Sequence, residues 1–380
     1  MKIVSSTIYA LGIPFVETFS HNLAKRHCSD SIVIKLVTDS GICGFGEGVP
    51  RPYVTGETLK SCMEHIANVL LPVVLNTCWD DIAPGEILPA VDRLLPCVDD
   101  AGGVVWHAAR CAVEMAIIDG LLRAHGASLA AVLPPCVSEV TYSGVIATGS
   151  LAAVEQRARR MKAMRFSHIK IKIGQLGDEE RVGLVRNIVG STVSLRLDAN
   201  GAFDRNEAVS FLAALAPYGV ACIEQPIPRG DVSELAALRA DTSVPLMADE
   251  SLVTLRDAKE LIAQEACDFF NLRLSKCGGL HNTLEIAELA MHAGVGLQLG
   301  CQVGETAILS AAGRHVAAHL AGLRFVEGSY GAHLLVEDIA AENIVFGSAG
   351  IAPLLTGPGL GVSVREDVLA KHAMAVISVQ

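Results

Sequence analysis

None of the eleven cysteines forms a C-x-x-C pair, which removes the usual dithiol and structural-zinc patterns. Cys28, Cys43, Cys62, Cys78, Cys97, Cys111, Cys136, Cys222, Cys267, Cys277 and Cys301 lie scattered in apolar segments, and they are expected to be small core hydrophobes in a reducing compartment. No stretch of about 18 uninterrupted apolar residues occurs, so no membrane partner is expected. The opening residues Met1 to Ile8 lack an apolar signal core with a small-residue cleavage site, and a cytoplasmic location is expected. Positive charge is also short. Thirty Lys and Arg stand against 41 Asp and Glu, a net charge of −11 with no basic run, which excludes a phosphate-backbone partner such as nucleic acid. The glycines of Gly357-Pro358-Gly359-Leu360-Gly361 lack a βαβ context and mark turns, not a phosphate loop.

The chain's 380 residues suit a barrel of roughly 200 to 250 residues plus a second module. Residues 1–130 read as an α+β capping domain. The alternating run Ser31 to Val37 before the turn Asp39-Ser40-Gly41 predicts a hairpin, and Val104 to Ala124 has helical apolar spacing. From about residue 138 to 348 the rhythm becomes strand, loop, helix. Eight apolar runs read as buried parallel strands: Val140 to Ile146, His168 to Ile173, Val193 to Leu197, Val220 to Ile223, Val244 to Ala248, Phe269 to Leu274, Val295 to Leu299 and Arg324 to Val326. The fold class is therefore α/β, a (β/α)8 TIM-like barrel with an N-terminal α+β cap. Residues 349–380 are expected to pack back on that cap.

Lys172, Asp198, Glu224, Asp249, Lys276, Gln302 and Glu327 follow successive strands at steps of 25 to 27 residues. In a parallel barrel all such positions open on one face, where the chemistry is done. Singly, each is an ordinary feature: K-x-K a solvated edge, an acidic residue after a strand a helix cap. Together, three adjacent carboxylates, Asp198, Glu224 and Asp249, offer hard oxygen ligands for Mg2+, with Mn2+ as a substitute. Lys172 and Lys276, on strands 2 and 6, would face each other across a bound carboxylate substrate, one removing an α-proton and the other returning it. Lys170 shares the inward face of its strand with Lys172. Two ammonium groups about 5 to 7 Å apart repel by roughly 2 to 3 kcal/mol at an effective dielectric near 20, which favours loss of one proton.

Lys170-Ile171-Lys172, Asp198-Ala199-Asn200, Glu224-Gln225-Pro226, Ala248-Asp249-Glu250-Ser251 and Lys276-Cys277-Gly278-Gly279 resemble the enolase superfamily, in particular its muconate lactonizing enzyme subgroup. The likeness spans nearly the whole chain. It implies Lys172 and Lys276 as the acid/base pair with Lys170 assisting, Mg2+ on the three carboxylates, and specificity from capping loops near Ile13 to Cys28 and Val49 to Thr58. A racemase or epimerase of an amino-acid derivative is the first expectation. A muconate-type cycloisomerase or a syn-dehydratase resembling o-succinylbenzoate synthase is the alternative, and a Schiff-base lyase or a passive binder are rivals of other classes. Arg51, Tyr53, Asn200, Gln302 and Glu327 are the candidate substrate contacts. Arg51 either grips a second carboxylate or belongs to a loop stiffened by Pro50 and Pro52, and Glu327 either meets a cationic substrate group or forms an ion pair inside the barrel. The run Glu327-Gly328-Ser329 departs from the Asp-x-Asp of dipeptide epimerases. A small-molecule carboxylate substrate and a homo-oligomer are expected.

Overall fold

A computed structural model describes residues 2–21, 24–75, 77–79, 82–95 and 103–380. Eight parallel strands form one curled sheet in chain order: β1 (Gly144–Ile146), β2 (His168–Lys172), β3 (Ser194–Asp198), β4 (Cys222–Glu224), β5 (Leu246–Ala248), β6 (Phe269–Leu272), β7 (Gly296–Leu299) and β8 (Leu323–Val326). Ser143 N–H donates to the Val326 carbonyl at 2.8 Å, bringing the ends of the series together. The predicted first strand is split. Glu139–Thr141 pairs antiparallel with Ile351–Pro353, and only Gly144–Ile146 joins the barrel.

The cap is a four-stranded antiparallel sheet in the order Ala373–Val379, Ile3–Leu11, Ser31–Thr38, Cys43–Gly48. The tail therefore returns as an edge strand of the first module. The hairpin 31–48 is as expected, and the helix His107–Ala124 lies on it. That helix is buried around its circumference because it is sandwiched between this sheet and the barrel. Close approach depends on glycine: a Cβ on Gly44, Gly46 or Gly48 would lie 2.2, 2.0 or 2.0 Å from the carbonyls of Ala116, Ala112 and Ala108.

Two buried carboxylates from the cap bind the barrel together. Glu47 accepts from Thr306 N–H (2.9 Å) and Leu309 N–H (3.1 Å) at the start of helix Ala307–His319. Glu114 accepts from Leu280 N–H at 2.5 Å at the start of helix Leu280–His292. Both accept from helix-start N–H groups that lack an intrahelical partner. Their effect is to fix the exits of β6 and β7 against the cap.

His315, buried in helix Ala307–His319, faces the tail through a 3.2 Å contact between Nε2 and the Leu360 carbonyl. Burial pushes its pKa down to about 4 from the ordinary 6.5, and the neighbouring Arg314 acts in the same direction. The unfolded chain then binds a proton first as pH falls, so stability present above pH 6.5 is lost on the way down through pH 4. Urea unfolding at pH 7.5 and 4.5 should show this loss, up to ~3 kcal/mol, shrinking in His315→Asn. An equal pH dependence in the variant would refute the assignment.

Among the described residues no helix is long and apolar enough to cross a membrane. Of the ten described cysteines several are buried, although Cys78 and Cys136 are exposed. Cys97 lies outside the described residues.

Candidate active site at the barrel mouth

β2 ends on Lys172, β3 on Asp198 and β4 on Glu224, and Asp249 follows β5 directly. Lys172 pairs in register with Asp198, and Asp198 with Glu224. The expected trio therefore stands on three neighbouring strand ends, each member fully buried. Lys172 Nζ donates to Asp198 Oδ2 at 2.5 Å and to Asn200 Oδ1 at 2.8 Å. Asn200 holds a left-handed backbone (φ 44°), which lets its Nδ2 donate to Glu250 at 3.0 Å.

Lys170 lies one pleat deeper. Its Nζ is 2.8 Å from Asp198, 2.9 Å from Glu224 and 3.1 Å from Glu327. Burial opposes its charge, but these three carboxylates outweigh burial and hold its pKa well above the usual lysine range. The repulsion foreseen from Lys170 is thus offset in place. Burial raises the pKa of Glu224, and the negative charge of Asp198 adds to this. Asp249 is held low despite burial, because Arg273 and Lys276 both face it.

Several of the candidate residues are held by neighbouring groups. Lys276 is fully buried, and its Nζ donates to the Asp249 carbonyl (2.7 Å), Asp249 Oδ1 (2.9 Å) and the Asn271 carbonyl (2.7 Å). It does not line the cavity over the carboxylates, whereas Arg273, three residues earlier, does. The Arg51 guanidinium is likewise turned inward, donating to the carbonyls of Pro50 (2.8 Å), Asp30 (3.2 Å) and Val303, so it ties the cap loop to the β7 exit. Glu327 takes the ion-pair alternative: Oε1 accepts from Arg196 at 2.9 and 3.0 Å and Oε2 from Lys170. Tyr53, Asn200 and Gln302 line the cavity.

Residues not singled out in the sequence complete the site. Arg273 donates to Asp249 Oδ2, Glu224 Oε1 (3.3 Å) and Gln302 Oε1 (3.3 Å). Gln225 Oε1 accepts from Asp249 N–H (3.1 Å) and Ser251 N–H (3.0 Å), fixing the loop that presents Asp249. Glu250 lines the cavity with Oε2 unpartnered, and burial, then Asp249, pushes its pKa up to about 8. Gln225 and Glu250 each sit one position beyond a chosen residue. Strand alternation would turn them away, but the pleat has already ended there.

The cavity has a volume of about 530 Å3. Its floor is polar, with Lys170, Lys172, Asn200, Glu250 and Arg273. Its outer wall is apolar, with Met161, Met164, Phe166 and Phe346, and Arg157 and Arg160 lie beside it. The chamber suits a molecule with a charged head and a longer substituent.

The donor set fits a hard divalent cation. Three like-charged carboxylates in neighbouring, water-poor positions require positive charge between them. Among the described residues no three His, Cys, Asp or Glu side chains already encircle one point, and Lys170 and Arg273 stand between the carboxylates as counter-ions.

Residues 153–368 match the family described as Enolase C-terminal domain-like. The chain is 30% identical over 320 residues to the hydrophobic dipeptide epimerase of Enterococcus faecalis, covering 84% of this chain and 87% of that one. It is 29% identical to muconate cycloisomerase 1 of Rhodococcus opacus, covering 97% and 98%. The crystal structure of the N-succinyl Arg/Lys racemase from Bacillus cereus superposes with a TM-score of 0.90 at 27% identity, covering both chains fully. With the eight-stranded barrel, the cap and the matched carboxylate-bearing strands, these similarities establish that the chain belongs to the enolase superfamily, within its muconate lactonizing enzyme group.

Proposed function

We propose that this chain is an isomerase in which Lys172 removes the α-proton of a carboxylate substrate, with Mg2+ held by Asp198, Glu224 and Asp249. The observation that carries this is the placement of the Lys172 amine at the cavity floor, 2.5 Å from the first of three carboxylates on successive strand ends. A bound Mg2+ supplies positive charge where negative charge develops on the substrate carboxylate. Lys172 acts as general base on one face, oriented by Asn200, and Lys276, whose amine lies 2.9 Å from Asp249 Oδ1, is the second amine, returning the proton on the opposite face. Lys170 stays charged and adds positive potential at the floor.

The substrate class proposed is an N-substituted amino acid, racemised or epimerised at the α-carbon, as the named racemase and epimerase relatives suggest. Glu327 already faces two cations, Arg196 and Lys170, which offset its charge and leave it a weak partner for a free ammonium group. This favours an N-acyl head over a dipeptide with a free amino terminus. The apolar outer wall takes the remaining substituent.

A second reading, cycloisomerisation or syn-elimination, is favoured by the position of Lys276, because Lys170 and Lys172 are the lysines that reach the cavity. Incubation with Mg2+ in D2O with N-succinyl and N-acetyl amino acids, dipeptides and muconates, followed by mass spectrometry and chiral analysis, tests both. Deuterium at the α-carbon with inversion is the expected result. Lactone or alkene product selects the second reading, and no exchange with any of these compounds sinks the proposal.

A further inference from the structure

We propose that Arg160, with Arg157 one turn before it, forms an anion subsite beside the apolar wall of the cavity, and that it receives a second substrate carboxylate remote from the reacting carbon. This deepens the proposed function and rests on it. Both arginines stand on helix Leu151–Ala163 and line the same cavity as Lys172 and Asn200. Three residues apart, they share one face of the helix. The helix's other charged side chains are engaged elsewhere: Arg159 pairs with Glu155 at 2.7 Å, and Lys162 Nζ donates to the Ile188 carbonyl at 2.7 Å. Arg157 reaches only the carbonyls of Ala147 and Thr148, at 3.5 Å. Neither Arg157 nor Arg160 has an ion-pair partner among the described residues. In a chain with 30 basic and 41 acidic residues, acids to pair them are not scarce.

The surroundings of the pair suit the far end of a dicarboxylic molecule. Met161, Met164 and Phe346 line the wall beside Arg160 and cover a methylene stem, while the guanidinium groups offer paired N–H donors to a carboxylate. His333, on the segment Gly331–Leu334 after β8, has its ring centroid 5.5 Å from that of Phe346. Burial, and then the charge of Arg160, hold its imidazole below the ordinary histidine range. Arg160 is therefore felt across the cavity, and the ring facing it adds no compensating negative charge. Glu17 also lines the cavity, but it makes no ion pair with either arginine. The remote carboxylate belongs either to the acyl group, as in a succinyl chain, or to an acidic side chain, as in glutamate, and the chemistry of recognition is the same.

Pairs of isosteric compounds test this on the intact protein with Mg2+. In D2O, kcat/KM for α-exchange should be about fivefold higher for N-succinyl-alanine than for its terminal amide, or for N-acetyl-glutamate than for N-acetyl-glutamine, a margin between that of an exposed ion pair and a buried charge-assisted bond. The pair that shows the margin identifies the source of the carboxylate. In Arg160→Gln the margin should fall toward one, and Arg160→Lys should keep part of it. Arg159→Gln should leave it intact, because that side chain does not line the cavity. Calorimetry with the same compounds reads binding without turnover, so the subsite is decided even where no exchange occurs and the isomerase reading fails. No advantage of acid over amide in either pair, or a margin unchanged in folded Arg160→Gln, would overturn the subsite. Tighter binding of Nα-acetyl-lysine than of N-acetyl-glutamate would overturn it as well, and would assign this wall to Glu17 and a cationic side chain.

Discussion

Replacing Lys172 by alanine is expected to lower α-proton exchange by roughly 10²- to 10⁴-fold while leaving the fold intact, the scale at which a positioned general base contributes. Lys172 is not needed to keep the barrel together in the way Lys170 is. Its amine touches Asp198 and Asn200 at the cavity floor, and its removal still leaves Asp198 paired with Lys170 at 2.8 Å. The loss should therefore fall on turnover, with the urea midpoint little changed. Lys172→Arg is the sharper control, because a guanidinium keeps the charge but does not give up its proton at neutral pH. It should be as inactive as the alanine variant. Either variant retaining exchange at the parent rate would show that another group takes the proton. Borohydride with substrate should trap no imine, since the lysine is proposed to act on a proton and not on a carbonyl.

Removal of the divalent ion should be as damaging. Dialysis against a chelator is expected to stop exchange and Mg2+ to restore it. Glu224→Ala should lose Mg2+ affinity by more than the roughly 10- to 100-fold typical of a lost outer partner, because a charged ligand itself is gone. Glu224 also accepts from Lys170 (3.1 Å), Asn271 (2.8 Å), Gln298 (3.3 Å) and Arg273 (3.3 Å). Its loss strands buried donors, so a drop in stability is expected as well, and Glu224→Gln separates the two effects by keeping hydrogen-bonding capacity without the charge. Calorimetry and thermal unfolding of both variants give the measurement. Mg2+ binding by Glu224→Ala at parent affinity would remove Glu224 from the metal site.

The regular interval between strand ends made the barrel legible in the sequence, because each βα unit repeats nearly the same length and each strand is an apolar run. At the sixth position the interval alone does not separate two cations. β6 closes at Leu272, so Arg273 is still at the strand end facing the mouth, while Lys276 is carried onward by the short helix Leu274–Cys277 and turned back between strand ends. A step of 24 rather than 27 residues was not distinguishable by counting. Arg51 shows a different limit. Its neighbours Pro50 and Pro52 announce a loop, but only the folded chain brings the Val303 carbonyl, from the far end of the barrel sequence, against its guanidinium. The inward pairing of Arg196 with Glu327 was accessible from alternation, since Arg196 lies two residues before Asp198 and must share its face.

The most direct test is a crystal structure with Mg2+ and N-succinyl-2-aminoisobutyrate, an N-acyl amino acid with no α-hydrogen to lose. The expected result is Mg2+ at about 2.0 to 2.1 Å from oxygens of Asp198, Glu224 and Asp249, with the α-carbon about 3 to 3.5 Å from Lys172 Nζ. A metal bound away from those carboxylates, or Lys172 turned from the α-carbon, would contradict it.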